Sequence, residues 1–228
     1  MKKFIMLFCG LIISLQIANA QAVVVGSENF DGSTHTFTST PGTAWTTSYN
    51  PYNLAVSGTK SIWSEVPFGT GDSVILTSPI YDCSNYAYVS LRFSHICKVS
   101  PMDEVRVEYR LNNVGAQWQA LPANTYKGGA SNYGVTGFNA ASYTIWNASD
   151  SLAMPANSWW KEEMFDLSND VSYSEVQIRF IIKKGNVSGT QISHGWVIDN
   201  FELSASMYEI KPPVVEFITN MGDTVGNT

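Results

Sequence analysis

Three carboxylates lie among apolar side chains at the two ends of the globular stretch of this 228-residue chain. Glu28 and Asp31 belong to Gly26–Gly32 (GSENFDG), and Asp199 belongs to His194–Leu203 (HGWVIDNFEL). Read as a strand, the second segment puts Val197, Asp199, Phe201 and Leu203 on one face, because strand side chains alternate with period two. In the first segment Glu28 shares a face with Phe30, and Asn29 and Asp31 take the other. A bare buried carboxylate is costly, so each must be paired, hydrogen-bonded or bound to a metal. If the first and last strands lie side by side, Glu28, Asp31 and Asp199 converge, and a cluster of hard oxygen ligands suits Ca²⁺. The alternatives are backbone N–H donors, pairing of Asp199 with Arg92 or Arg179, or a bulge at Asp199-Asn200 that turns the carboxylate outward and brings Trp196 and Ile198 inward.

Other residues invite catalytic readings that their spacing does not support. The chain holds no His-Glu-x-x-His zinc motif and no Gly-x-Ser-x-Gly elbow. Of the three histidines, His35, His95 and His194, His95 falls in an apolar strand row and reads as a satisfied core residue. Ser193 and His194 are adjacent, so in a strand they point to opposite faces. Glu162, Glu163 and Asp166 read as an exposed acidic strand edge rather than as a carboxylate pair facing across a cleft. No catalytic residue is expected.

Seven Trp and eleven Tyr are many for this length. Tyr126, Tyr133, Phe138, Tyr143 and Trp146 punctuate the charge-poor stretch Pro122–Ser158, and Trp159-Trp160 should place one indole on each face of a strand. Exposed aromatics stack on sugar rings or anchor proteins, which makes Tyr133, Trp146 and Trp160 candidate ligand-binding residues. The competing reading is that these rings pack the long segment onto the domain.

The elements that must position these groups are strands. Asp72–Ser78, Tyr88–Val99, Glu104–Leu111, Trp159–Leu167, Glu175–Lys183 and His194–Leu203 alternate apolar and polar residues between Gly, Pro, Asn and Ser clusters. Glu104–Leu111 is the cleanest: Val105, Val107, Tyr109 and Leu111 face one way, and Glu104, Arg106, Glu108 and Arg110 form a solvated face. Many short strands without a convincing helix predict an all-β, two-layer antiparallel sandwich or barrel. Pro122–Ser158 is long enough that it should be functional or conceal short strands.

Lys2 and Lys3, the apolar run Phe4–Ile17 and Ala18-Asn19-Ala20 form a secretory signal peptide over residues 1–20, cleaved after Ala20. Its loss takes the formal net charge from -6 to -8, since the leader carries two lysines and no acid. An acidic exported chain suits neither nucleic acid nor an anionic membrane surface, and no later segment reads as a spanning helix. Cys83 and Cys97 remain in the mature chain. The strand between them holds the sulfurs apart, which favours two separate thiols over a bridge. Asn147-Ala148-Ser149 and Asn186-Val187-Ser188 match the glycosylation sequon, a short pattern that carries little weight by itself. Residues 21–205 form the sandwich. Beyond them, Lys211-Pro212-Pro213 reads as a linker and Val214–Asn220 as a lone strand, so 206–228 is expected to be a linker and the start of a truncated second domain.

ENFDG near the start and GWVIDNFEL near the end frame LTSPIYDCSNYAYVSLRFSH, DEVRVEYRLNNVGAQWQAL and the WWKEEMFDLS and VQIRFII runs. Over Gly26–Ser204 this pattern resembles the MAM-like, choice-of-anchor type jelly-roll modules of secreted Bacteroidetes proteins. The resemblance implies a two-sheet antiparallel jelly-roll β-sandwich with a structural calcium between the termini. At matching positions it implicates Glu28, Asp31 and Asp199, with Asp103 as an outer candidate. The run Arg110–Trp118 departs from the family's hairpin pattern. The expected function is a secreted or cell-surface, non-catalytic binding or adhesion module that recognises a glycan or an extracellular protein. The alternative is an accessory domain of a larger secreted peptidase or other hydrolase; a free-standing hydrolase ranks behind both.

Overall fold

Alternation of apolar and polar residues is carried directly into structure at Glu104–Leu111 and Glu175–Lys183, which form strands with those same ends. In the computed structural model, residues 21–47, 53–113, 115–132, 134–146, 152–185 and 193–208 are described. The expected leader, Tyr133, both sequons and the expected tail strand lie outside the described residues. In chain order the strands are β1 (Val23–Glu28), β2 (Thr38–Thr40), β3 (Ile62–Ser64), β4 (Ser73–Thr77), β5 (Tyr81–Asp82), β6 (Tyr88–Lys98), β7 (Glu104–Leu111), β8 (Gln119–Ala120), β9 (Ala130–Asn132), β10 (Val135–Gly137), β11 (Lys161–Asp166), β12 (Glu175–Lys183) and β13 (Gly195–Ser206).

Two antiparallel sheets face each other. The first runs β1-β13-β6-β11, with β3 on the same edge of β13 as β1 but further along it. The second runs β2-β4-β12-β7-β8, with β5 continuing the line of β4 along β12. This is a two-sheet antiparallel jelly-roll β-sandwich, which resolves the sandwich-or-barrel choice left by the alternation in the way the resemblance implies. Pro122–Ser158 does conceal short strands: β9 and β10 form a hairpin docked on β7, where the Phe138 amide donates to the Val105 carbonyl at 2.9 Å. Helix is confined to one α turn, Ser168–Val171, and three short 3-10 turns among the described residues. One of those turns, Asn157–Trp159, replaces the expected start of the β11 strand.

The core lies between the sheets. Val89, Leu91, Phe93, His95 and Cys97 of β6 face Val176, Ile178, Phe180 and Ile182 of β12, and all are buried. Phe93 sits at the centre, edge-on to Phe180 at 5.0 Å between ring centroids and stacked on Phe165 at 6.0 Å. Such ring pairs stabilise beyond the area they bury. Cys83 and Cys97 are both buried free thiols, in keeping with the separation their sequence spacing imposes. Truncation of Phe93 to Ala should lower unfolding free energy by about 3–5 kcal/mol. In urea titration the midpoint should fall while the slope of unfolding stays constant.

Candidate functional site

The segment around Asp199 is not a regular strand. Asp199 pairs with Ser94 and Glu202 with Arg92, so Asn200 and Phe201 together oppose the single residue Phe93. Asn200 takes φ 49°, the left-handed conformation that Asn tolerates better than most residues. This bulge changes which residues share a face. Trp196, which pairs with Cys97, and Ile198, which pairs with His95, join Phe201 and Leu203 in facing the interior. Asp199 and Val197 face the other side of the sheet. The bulge alternative is therefore realised, and the reading that set Asp199 in one row with Phe201 and Leu203 is corrected: period-two counting fails across one extra residue.

Asp199 is nevertheless fully buried, because the segment between Leu54 and Ser61 covers it. Its Oδ2 accepts hydrogen bonds from the amides of Val56 at 2.7 Å and Ser57 at 3.4 Å, and its Oδ1 accepts one from Asn200 at 2.7 Å. Asp31 holds the same segment two residues further on: its Oδ1 accepts from the amides of Thr59 at 2.7 Å and Lys60 at 2.9 Å. Gly58 lies between these anchors at φ 62°, and a Cβ there would fall 1.7 Å from the Asp31 carboxylate. Burial lifts the Asp199 carboxyl above the usual carboxylate range, the three amides pull it back, and the Asp31 charge adds to the rise.

The other two expected calcium ligands stand elsewhere. Glu28 pairs with Phe201, on the interior side of the sheet edge. It accepts from the amide of Phe30 and from the amide and hydroxyl of Thr36, at 3.1, 3.1 and 3.2 Å. Asp103 lies in the β6–β7 turn, buried, 3.1 Å from the Lys184 ammonium and bonded to the Gly185 amide at 3.0 Å. Asp31 and Asp199 are thus brought to one loop, while Glu28 lies on the opposite face and Asp103 is already ion-paired. Among the described residues no three His, Cys, Asp or Glu side chains gather into a metal-holding group. The donors around Asp31 and Asp199 are amides, which serve a negative charge directly. Neither Arg92 nor Arg179 pairs with Asp199: Arg92 bridges Glu162 and Glu202, and Arg179 pairs with Glu108.

A second buried polar group was misread from sequence. Glu163 pairs with Phe93, so it points inward and is fully buried, whereas Glu162 remains exposed. Only part of the expected acidic edge is therefore an edge. Glu163 accepts from the amides of Lys127 and Gly128, each at 2.9 Å, and from the Tyr143 hydroxyl. Its Oε1 lies 3.9 Å from His95 Nε2, too far for a hydrogen bond. His95 Nδ1 accepts from Trp196 Nε1 at 3.1 Å, so the neutral ring carries its proton on Nε2. Burial pushes the His95 pKa down to about 3.

Trp146 is completely buried, edge-on to His95 at 5.0 Å, and its Nε1 donates to the Trp159 carbonyl at 2.8 Å. Its ring is thus part of the packing and offers no face to a ligand. Trp159 and Trp160 are both half-buried rather than split between core and surface. Trp160 donates to Asn157 Oδ1 at 3.2 Å. Ser193 donates to the Lys98 carbonyl at 3.2 Å, and the His194 carbonyl accepts from Trp63 Nε1 at 2.9 Å, so this pair serves backbone fastening.

Surface grooves open among the described residues at two places. One, of about 480 Å³, crosses the outer face of the first sheet at the bulge, past Asn29, Arg92, Ser94, Glu162, Asn200 and Glu202. The other, of about 410 Å³, lies between Thr43–Thr46 and Ser64–Phe68, over Trp63 and Val74. Sequence reasoning passed over the second groove because its one prominent aromatic, Phe68, stands in an ordinary loop.

No protein-family profile matches the chain, and no curated protein matches it. Among solved structures, it is similar to the CBM22-1 xylan-binding domain from Paenibacillus barcinonensis Xyn10C, at 9% identity over 84% of this chain and 99% of that one, with a TM-score of 0.43. It is also similar to the K1 cleaved adhesin domain of Lys-gingipain from Porphyromonas gingivalis W83, at 14% identity over 81% of this chain and 98% of that one, with a TM-score of 0.41. Likenesses this distant assign no ligand to this chain.

Two outcomes follow from the buried carboxylate and imidazole. Asp199→Ala removes a charged acceptor from the Val56 and Asn200 amides and should cost about 3 kcal/mol in denaturant titration. His95 binds its proton less readily folded than unfolded, so its contribution is complete above the unfolded pKa of about 6.5 and declines as pH falls toward 3. The decline can reach about 1.4 kcal/mol per pH unit. Stability measured between pH 6.5 and 4.5 should fall less steeply in His95→Gln than in the parent, with Glu163 as the facing carboxylate in both.

Proposed function

We propose that this chain is a secreted, non-catalytic binding module of adhesion type, of the MAM-like, choice-of-anchor kind that its motifs resemble. The supporting observation is the placement of side chains. His95, Glu163, Cys83 and Cys97 are enclosed in the interior, and the half-buried Ser193 and the His194 carbonyl are taken up in bonds to Lys98 and Trp63. The open grooves present hydroxyls, amides, carboxylates and an aromatic ring on a hydrogen-bonded sheet frame, with Glu162 and Glu202 of the first groove ion-paired to Arg92. Recognition needs a preformed concave surface with a few directed polar groups; turnover needs an accessible nucleophile or base. The ligand class in this reading is a glycan or an extracellular protein. Immobilised protein should retain members of one of these classes from a glycan array or an extracellular protein preparation. It should release no product from peptide, ester or glycoside substrates; turnover that copurifies with the chain would overturn the reading.

Calcium belongs to the same proposal as an accessory staple, held at Asp31 and Asp199 alone, since Glu28 ends β1 on the other face. What supports it is geometry: Asp31 after β1 and Asp199 in β13 hold consecutive amides of one loop, Val56–Ser57 and Thr59–Lys60, where a shared cation would relieve the repulsion of the two carboxylates. Melting curves with millimolar calcium and with chelator test it: a lower melting temperature with chelator is expected, and superimposable curves would leave the backbone amides as the sole anchors.

A further inference from the structure

Phe68 is 94% exposed, the most exposed large apolar side chain among the described residues. It stands at the mouth of the groove between Thr43–Thr46 and Ser64–Phe68. The groove is braced by backbone bonds. Thr46 and Trp63 exchange amide hydrogen bonds at 2.9 and 3.1 Å, and the loop that carries Phe68 closes through Asp72 N to Gly69 O at 2.9 Å and Gly71 N to Lys184 O at 3.0 Å. The floor is apolar: Val74 and Trp63 are buried, and the Trp63 indole is fixed by its bond to the His194 carbonyl. The rim carries the Thr43 hydroxyl and the Glu65 carboxylate. Glu65 is exposed, and its carboxylate makes no hydrogen bond or ion pair among the described residues.

We propose that this groove binds the apolar face of a neutral pyranose, with Phe68 as the stacking platform and Glu65 accepting hydrogen bonds from ring hydroxyls. This deepens the binding-module reading and rests on it. The amphipathic lining decides the ligand class. One exposed ring surrounded by hydroxyl and carboxylate groups matches a ligand with a flat C–H face and a polar edge. A protein partner would require roughly 1,200 Å² of total interface with several apolar anchors, and among the groove residues only Phe68 is a strongly exposed apolar side chain. A volume of about 410 Å³ accommodates one or two sugar units.

The test uses an array of neutral oligosaccharides of glucose, galactose, mannose and xylose, followed by titration calorimetry on each glycan retained. Phe68→Ala should weaken binding about tenfold or more, the loss expected of a stacking aromatic. Glu65→Gln should weaken it severalfold. Tyr173→Ala removes an exposed aromatic outside the groove and should leave affinity unchanged. All three side chains are exposed, so melting temperatures should match the parent's. Glycan binding that survives Phe68→Ala, or is lost instead on Arg92→Ala, would overturn this site while leaving the module reading intact. Retention of an extracellular protein but of no glycan would overturn the sugar assignment alone. Retention of neither would overturn both.

Discussion

Asn200 and Phe201 together face Phe93 across the sheet, and that one-residue mismatch governs both sides of the first sheet. On the inner side it brings Trp196 and Ile198 into the same layer as Phe201 and Leu203. Trp196 then reaches Phe180 at 5.5 Å and donates to His95. On the outer side it aims Asp199 at the segment from Leu54 to Ser61. That segment has no strand ladder of its own before β3, so its amides need acceptors from elsewhere. Asp199 and Asp31 supply them, one from the last strand and one from the turn after the first. The first and last described strands are fastened to a common loop as well as to each other through the β1–β13 ladder. Two negative charges that meet there repel, and burial raises the cost further. Amide donors offset part of that cost.

The same logic governs the interior beneath Pro122–Ser158. Glu163 accepts from two loop amides and one tyrosine hydroxyl, so it organises a long segment poor in regular structure. Lys98 is also buried and donates to the Trp146 carbonyl at 3.0 Å, with the Trp159 ring 5.4 Å from its ammonium. Buried charges of both signs thus hold the long loop on the sandwich, with Trp146 and Phe138 packed among them. That arrangement costs stability relative to an all-apolar core. What it supplies is direction: each carboxylate oxygen accepts from specified donors, so the loop has one seat.

Strand positions were legible wherever one face was wet and the other dry. Glu104–Leu111 is the plain case, since its charges alternate strictly with apolar residues, although ion pairing with Arg106 and Arg179 leaves Glu108 buried and not solvated as expected. Legibility ended where that contrast was lost. Glu162 and Glu163 are chemically identical in sequence, and only their pairing with Ser94 and Phe93 separates surface from core. Asp199 was assigned to the wrong face because a bulge leaves no periodic mark, although the Asp-Asn pair did signal it. Trp146 was read as a candidate ligand contact and Phe68 was passed over for a related reason: an aromatic in a loop carries no sign of whether the loop folds over it. Their burial depends on long-range contacts, and composition does not encode these.

The outer face of the second sheet shows why recognition is better placed in the loops. Lys183, Glu104, Arg106, Glu108 and Arg179 form a continuous chain of ion pairs there, from 3.2 Å at Lys183–Glu104 to 2.5 Å at Arg179–Glu108. The Trp118 ring is covered by Arg179 at 4.2 Å and Arg110 at 4.7 Å. Every strong group on that face already has a partner, so a ligand would have to break as many interactions as it made. Loops between strands escape this constraint, because their side chains are not forced into register with neighbours. Phe68 and Glu65 lie on such a loop, immediately beyond β3, the strand fastened to β13. A rigid sheet fixes their position while their chemistry stays uncommitted, and these are the two conditions that selective binding requires of a surface.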